Sequence, residues 1–416
     1  MDWFNDFDVT TAVYDRSERK SIICEAKLKT LANLYYIQHA MGENLWSVAD
    51  DEGYDTSYNR DNSCGGVPQA YKKIEYNLPQ IPYIRKSNRL VGEQTLTAGD
   101  IRRESEWAIS VRGFTDAIAV GNYADDLHGC NSEPSDFESS LEHITDLPPG
   151  FRFGAFQVPL GSLIPEKVDG LLAAEKNISQ SRLANGATRL QPITMLTGQA
   201  AGALAAIAVA EHVQPRHVSP EKVQITLLRE GDILARPNML NLRIGSEPWQ
   251  AAQFAVVHQW MKITAKNGFQ SEEVLSRGQS AVILVDAFLG PGWNQVGVAN
   301  TGDVDAMPRT LEQTYTDVPL YAPIFNAVET LHVAEAAPAC PDAPHEFCPG
   351  YSMTIGEFLH SAIVLLSRYS GGSTPTEDAL RSGVSAKDTE PLTREDAAMI
   401  LYNFALFRTG QQLTAD

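Results

Sequence analysis

The run Gly198-Gln-Ala-Ala-Gly-Ala-Leu-Ala-Ala-Ile-Ala-Val-Ala210 restricts the fold more than any other feature of the chain. Alanine is the strongest helix former, and this segment is apolar on nearly every face. A helix of that kind needs cover on all sides. The apolar stretch Ala200 to Ala210 is about half the ~20 residues that a bilayer crossing takes, so the expectation is a buried core helix and no membrane span. A sheet to cover it is found upstream. Leu171-Leu-Ala-Ala174 is a continuous apolar run of the kind seen in fully buried parallel strands. Phe151 to Pro159 alternates apolar with small or polar residues, as a half-buried strand does. A second, amphipathic helix is expected over Pro220–Glu230, ended by Gly231.

Further upstream, Cys24, Leu28, Leu31 and Tyr35 recur with helical spacing, which predicts a helix over 17–41 with Gly42 past its end. Residues 50–66 and 130–150 read as surface loops, and Ile81–Ile84 and Ala117–Val120 as strands. Downstream, Pro237, Asn238, Asn241 and Gly245 mark a linker over 231–247. The charge balance changes at the same place. Residues 1–240 carry 23 basic and 32 acidic side chains, and residues 241–416 carry 10 and 20. The tail then reads as helices over Pro248–Lys262, Gln279–Leu289, Tyr321–Val333, Ile355–Tyr369, Thr376–Arg381 and Arg394–Phe407. Their weak similarity at a period of 50–70 residues suggests a repeat array. A net charge of -19 over 416 residues argues against nucleic-acid binding, which depends on neutralising phosphates.

Chemistry-bearing motifs are sparse. There is no P-loop, HExxH or nucleophile elbow, and no GxGxxG follows a strand; Gly290-Pro-Gly-Trp-Asn-Gln-Val-Gly297 has the wrong spacing. His128, after Asp125-Asp126-Leu127, is a candidate general base, with a structural role as the alternative. No metal site is expected from these neighbours, and five cysteines without a CxxC pair do not suggest structural zinc or a disulfide scaffold. The start Met-Asp-Trp-Phe-Asn-Asp-Phe-Asp has no signal-peptide pattern.

Three blocks carry a resemblance: Phe156 to Ser179, Asn185-Gly-Ala-Thr-Arg-Leu-Gln-Pro192, and Gly198-Gln-Ala-Ala-Gly202. With Ile81–Glu93 and Ala117–His128, they resemble the C-terminal part of a bacterial family of FAD-dependent oxidoreductases, some members of which carry a xanthan lyase label. The resemblance covers about residues 1–235. It implies a glutathione-reductase-like α/β fold, FAD as cofactor, and hydride transfer between flavin and a substrate, carbohydrate-related if the label is followed. It also implies that the last strand of the FAD domain leads by a loop to a helix whose N-terminus faces the flavin ring. On that pattern the cofactor-binding residues are Asn177, Gly186, Arg189, Gly198, Gln199, Ala200, Ala201 and Gly202, with Arg189 and His128 as catalytic candidates. Where many flavoproteins have Ala-Gly-Asp, this chain has Glu175-Lys-Asn177. Met1 to Asp8 resembles an interior stretch of the family, so the Gly-rich βαβ unit is expected upstream or on a separate chain. The purified chain is accordingly expected to be colourless.

The tail carries a second resemblance. Thr316-Asp-Val-Pro, Cys348-Pro-Gly-Tyr-Ser-Met-Thr-Ile-Gly-Glu357, Leu392-Thr-Arg-Glu and Leu275-Ser-Arg-Gly-Gln279 resemble S-layer homology repeats. This implies an all-α domain of three stacked repeats, with Arg277 and Arg394 as contacts to an anionic cell-wall polymer. Cys340 and Cys348 resemble cysteine pairs of some such repeats; a disulfide, which would support an exported or surface location, and two free thiols both stand open. The expected organisation is 1–235 oxidoreductase portion, 236–247 linker and 248–416 repeats. The rival reading is a non-catalytic surface-binding or adaptor protein, and cytoplasmic residence is the alternative to export.

Overall fold

The computed structural model describes residues 14–81, 88–103, 113–123, 152–235, 241–263, 268–290, 313–338, 340–341, 343–369 and 374–411. The chain forms two compact units: residues 1–89 with 126–138, and residues 90–125 with 139–416.

The first unit is built on α1 (Arg16–His39), whose N-terminal N–H groups of Ser17 and Glu18 donate to the Asp15 carboxylate. Gly42 takes a positive φ of 80° just beyond the helix, where an L side chain would be strained. Leu31 is buried and Cys24 and Leu28 are partly buried, but Tyr35, expected on the same face, is exposed and stacks on His39. The expected loop over 50–66 contains a short helix, α2 (Ser57–Asp61), capped by Thr56. After it comes α3 (Lys72–Tyr76). The Asn59 side-chain amide donates to the carbonyls of Tyr54, Tyr76 and Leu78 and ties α2 to α3. A Cys24–Cys64 disulfide joins α1 to the turn after α2. Sequence spacing does not announce that pairing. Of the strand expected over Ile81–Ile84, all but Ile81 lies outside the described residues.

The second unit begins with α4 (Ala98–Ile101) and β1 (Arg102–Arg103). β2 (Ala117–Asn122), β3 (Arg152–Phe153) and β4 (Ala155–Pro159) follow. β1 pairs with β3 and β2 with β4, both antiparallel, with Gly121 opposite Phe156. A Cβ on Gly121 would lie 2.3 Å from Phe156 Cζ, so glycine is what lets this ladder close. Leu171–Ala174 is not a strand. The ladders among the described residues are antiparallel and distant in register from it, and it is tied down by one backbone bond, Ala173 N–H to Leu163 C=O (2.9 Å). Without a ladder partner an apolar tetrapeptide gains nothing by extending, and Leu171 stays exposed.

α5 (Arg182–Thr188) and α6 (Gln191–Glu211) come next. The expected all-round burial of α6 does not hold. Ile193, Thr197, Ala200, Ala201, Leu204 and Ala208 form one buried stripe, while Met195 and Val209 on the other side are 73% and 74% exposed. By length and composition α6 is long enough to cross a membrane, yet its buried stripe belongs to the main core of this unit. α7 (Pro220–Arg229) buries Val223, Ile225, Leu227 and Leu228, and Gly231 beyond it has φ 86°. The start of the expected linker is packed: Leu234 and Ala235 are buried and both donate their N–H to Gln253 Oε1.

The remaining helices fall close to where periodicity placed them: α8 (Glu247–Val257), α9 (Arg277–Leu289), α10 (Phe325–Val333), α11 (Ile355–Tyr369), α12 (Glu377–Leu380) and α13 (Arg394–Thr409). α9, α11 and α13 start alike. Ser276 with Gln279, Thr354 with Glu357 and Thr393 with Asp396 each form a reciprocal capping box. The residues just before these caps close a ring. Leu275 N–H donates to Leu392 C=O (2.9 Å), Leu392 N–H to Met353 C=O (2.8 Å), and Met353 N–H to Leu275 C=O (3.1 Å). Two residues on, Arg277, Ile355 and Arg394 N–H donate to the carbonyls of Tyr351, Glu390 and Glu273. The helix starts thus repeat about a local threefold axis, and Leu275, Met353 and Leu392 are buried at its centre. Cys340 and Cys348 form a disulfide.

Candidate functional site

The residues singled out by sequence gather at α5, α6 and the segment 174–177, but they face two ways. α5 starts at Ser181, whose hydroxyl accepts from Ala184 N–H (3.1 Å). It ends at Arg189, whose N–H donates to Asn185 C=O (3.2 Å). Gly186 and Arg189 are both buried. Asn185, which sequence reading did not select, is 1% exposed. Its amide nitrogen donates to Lys176 C=O (3.1 Å), and its Oδ1 is buried without a hydrogen-bond partner. An unmatched buried acceptor costs about 1–3 kcal/mol.

The segment 174–177 lies against the middle of α6. Thr197 Oγ1 donates to Thr194 C=O (3.0 Å), with Ala174 C=O at 3.3 Å, and a Cβ on Gly198 would sit 3.5 Å from that same Ala174 oxygen. Asn177 is exposed, with its carbonyl accepting from Leu90 N–H (2.8 Å). On α6, Gln199 and Gly202 face outward and Gly198 is partly open. A Cβ on Gly202 would meet nothing within 4 Å. Ala200 and Ala201 point into the core. Gly198, Gln199 and Gly202 therefore form an outward wall on α6, with Asn177 exposed on the segment whose Ala174 end packs against it. Gly186, Arg189, Ala200 and Ala201 stand behind it.

The expectation that Gly198 and Gly202 sit at a helix N-terminus is corrected. α6 begins seven residues earlier, at Gln191, because Pro192 is accommodated in a first turn where its missing N–H is not needed. The N–H groups of the glycine turns are thus inside the helical ladder. What the glycines offer is a close, side-chain-free surface. His128, Asp125 and Asp126 lie outside the described residues. Asp317, Glu346 and Cys348 form a cluster of metal-ligating types. Asp317 is already engaged there, accepting from the N–H groups of Phe347 and Cys348 at 2.8 Å each, and Cys348 is half of a disulfide.

Arg277 and Arg394 are both built into the starts of their helices, α9 and α13. Arg277 is 2% exposed, pairs with Glu357 (3.0 Å), bonds Pro338 C=O and lies over the Phe347 ring. Arg394 donates to the carbonyls of Phe269 (2.7 Å) and Lys262 (2.8 Å) and covers the Phe269 ring.

A cleft of about 470 Å³ opens where α7, α8 and α13 meet the approach to β2, lined by Thr115, Asp116, Glu221, Lys222, His258 and Arg408 among others. Glu221 is held by Arg408, and its carboxyl is nonetheless pushed up by burial. Burial drives His258 down to about 3, so the ring is neutral and bonds Gln224 Oε1 at 3.0 Å. The Gln224 amide in turn donates to the carbonyls of Thr115 and Ala117. Residues this far apart in sequence share no local signal, and sequence reading missed them.

Helices combined with a small sheet, and a glycine-gapped helix presented beside a buried amide, are compatible with an α/β protein of the FAD-binding type. The chain belongs to the FAD dependent oxidoreductase family, whose model matches residues 1–227. No curated protein matches it. FAD is the cofactor of that family, and flavin-dependent oxidoreduction its function. The residues present fit one side of such a group: a side-chain-free strip on α6 next to the exposed Gln199, with an exposed Asn177 and, unmatched among the described residues, Asn185 Oδ1 on neighbouring segments. A Gly-rich phosphate-cradling turn is not found among the described residues.

Proposed function

We propose that the outward wall of Gly198, Gln199 and Gly202, together with the exposed Asn177, is the protein surface against which FAD lies, in an oxidoreductase that moves hydride between a substrate carbon and flavin. FAD, when bound, supplies the hydride acceptor. The chain's own residues position and shield: Gly198 and Gly202 permit close approach, and the Asn177 and Gln199 amides offer donors and acceptors to the cofactor's polar edge. Arg189 places a positive charge behind the wall, which favours electron density on the flavin side. A carbohydrate-related substrate rests on the family label alone.

The carrying observation is Gly202. Glycine costs about 1 kcal/mol relative to alanine inside a helix, and among the described residues no atom occupies the space its Cβ would take. Packing against the described residues does not account for it, and a flat group resting on the helix would. The test is titration of the purified chain with FAD, followed by flavin fluorescence. Quenching by the wild type that is lost in Gly202→Val, with unchanged circular dichroism, supports the reading. Equal quenching by both overturns it.

The second reading, a surface-docking protein with S-layer-homology-like repeats, is favoured by the threefold arrangement of α9, α11 and α13. With Arg277 enclosed by Glu357 and Phe347, contact with an anionic wall polymer is assigned mainly to Arg394. Export or surface location is in keeping with two disulfides. Sedimentation with purified cell walls, lost in Arg394→Ala, tests this reading.

A further inference from the structure

We infer that Cys340 and Cys348 are the sulfur half of a metal site that their disulfide keeps closed. Once the bond is reduced, the two thiolates and the carboxylates of Asp317 and Glu346 hold one thiophilic divalent cation of the Zn2+ type. The inference is independent of the flavin reading.

The donors are already gathered. Ligand-type atoms of Asp317, Glu346 and Cys348 lie within 4.8 Å of one another, and Cys340 Sγ is bonded to Cys348 Sγ. Two carboxylates and two sulfurs thus converge on one place from distant parts of the tail. Zn2+ takes four such ligands in a tetrahedron, at about 2.3 Å for sulfur and ~2.0–2.2 Å for carboxylate oxygen. The edges of that tetrahedron are roughly 3.3–3.8 Å, so the carboxylates need to close in by about 1 Å. Sulfurs released from a bond separate to a similar spacing. In the oxidised chain the set is incomplete, because the thiolate is the metal ligand and a disulfide sulfur is not one.

The loop is held by more than its cross-link. Asp317 accepts from the N–H groups of Phe347 and Cys348 (2.8 Å each), one on each carboxylate oxygen. Thr316 N–H donates to His345 C=O (3.1 Å). Phe347 is fully buried, beside Tyr315 and under Arg277. Reduction leaves these contacts in place, so Glu346 and Cys348 stay beside Asp317. An ionised carboxylate has about four lone-pair sites, so Asp317 can keep both N–H groups and still ligate. Bonds of that kind orient a metal ligand. Arg277 is attracted to Asp317 and opposes an incoming cation, but it is paired with Glu357 (3.0 Å). Two thiolates and two carboxylates outweigh that one guanidinium.

Opening the site takes two electrons from a named reductant. A trialkylphosphine attacks one sulfur of Cys340–Cys348, breaking the S–S bond and expelling the other as a thiolate. Water then releases the first sulfur, giving the phosphine oxide and two cysteine thiols. A cellular dithiol reaches the same two thiols by exchange and is itself oxidised to a disulfide. Zn2+ replaces the two thiol protons, which pass to solvent.

The experiment uses the full chain, reduced with the phosphine, freed of reductant under anaerobic conditions and titrated with Co2+, then with Zn2+ in competition. The reduced chain should take one equivalent of Co2+, with a near-ultraviolet thiolate band and the intense visible bands of tetrahedral coordination, and Zn2+ should displace it. The unreduced chain and Cys340→Ser/Cys348→Ser should show neither set of bands. Glu346→Gln should bind at least tenfold more weakly. Cys24→Ser/Cys64→Ser/Cys130→Ser, whose only thiols are Cys340 and Cys348, should keep the full signal. Should that triple variant fail to fold, the wild type against Cys340→Ser/Cys348→Ser still decides. The proposal is overturned by a reduced chain without the thiolate band, or by the same band in the unreduced chain or in Cys340→Ser/Cys348→Ser. Unchanged affinity in Glu346→Gln overturns the ligand set.

Discussion

The substitution pair Gly198→Ala and Gly202→Ala separates stability from function in opposite directions. Among the described residues Gly202 has no atom within 4 Å of its Cβ position, and Gly198 has Ala174 C=O at 3.5 Å, an ordinary contact. Each alanine therefore enters without displacing anything and recovers the helix penalty of about 0.8–1.0 kcal/mol. Being one turn apart with no shared partner, the two should add to about 1.5–2 kcal/mol. For a unit of this size that corresponds to a rise in melting temperature of ~3 °C, measurable by calorimetry. The flavin side runs the other way. Two methyl groups on the side-chain-free strip hold a flat ring off the helix backbone, and the FAD affinity seen by fluorescence quenching should fall at least tenfold. A double variant that melts lower would show that the glycines serve packing inside this chain. A double variant that melts higher yet binds FAD as the wild type does would move the cofactor off this wall.

Three further outcomes are expected. Gly121→Ala places a Cβ within 2.3–2.9 Å of Phe156 and Ile193, an overpacking that should cost about 1–3 kcal/mol in urea unfolding; a neutral effect would mean that β2, β4 and α6 are not packed as described. His258 is held down to about 3 from 6.5, so its contribution is full above pH 6.5 and is lost as pH falls toward 3; between pH 7 and pH 5 the fold should lose about 2 kcal/mol. His258→Asn should lack that component, and identical pH profiles for variant and wild type would refute the burial argument. Arg277→Met leaves Glu357 without its partner and should cost about 3 kcal/mol, with a coupling of about 1–3 kcal/mol to Glu357→Gln in a double-mutant cycle; additive single effects would show that the pair contributes nothing.

The C-terminal helices show how far local information reaches. Ile355–Tyr369 is found with the limits read from sequence, and α13 begins at the Leu392-Thr-Arg-Glu block because Thr393 and Asp396 cap each other within four residues. The same holds for α7, opened by a proline and followed by a glycine with positive φ. Legibility fails where an apolar pattern must choose a partner. Leu171–Ala174 has the composition of a buried strand, yet no strand pairs with it among the described residues. α6 has the composition of a fully buried helix, yet one side is open. The candidate site was half legible for the same reason: its glycines and amides stand out as letters. Whether a residue such as Ala200 or Gln199 faces the wall or the core is set by a rotation of about 100° per residue about a helix that only packing fixes.

The sequence by itself determined α7, most of the C-terminal helices and the family, because each is written within a few neighbouring residues or in the order of short blocks. Only the tertiary structure decided the ring of Leu275, Met353 and Leu392, the Cys24–Cys64 disulfide and the cleft from Thr115 to Arg408. These join residues from 40 to nearly 300 positions apart. Their free energy comes from mutual burial and from hydrogen bonds shared across the fold, which no local window of sequence contains.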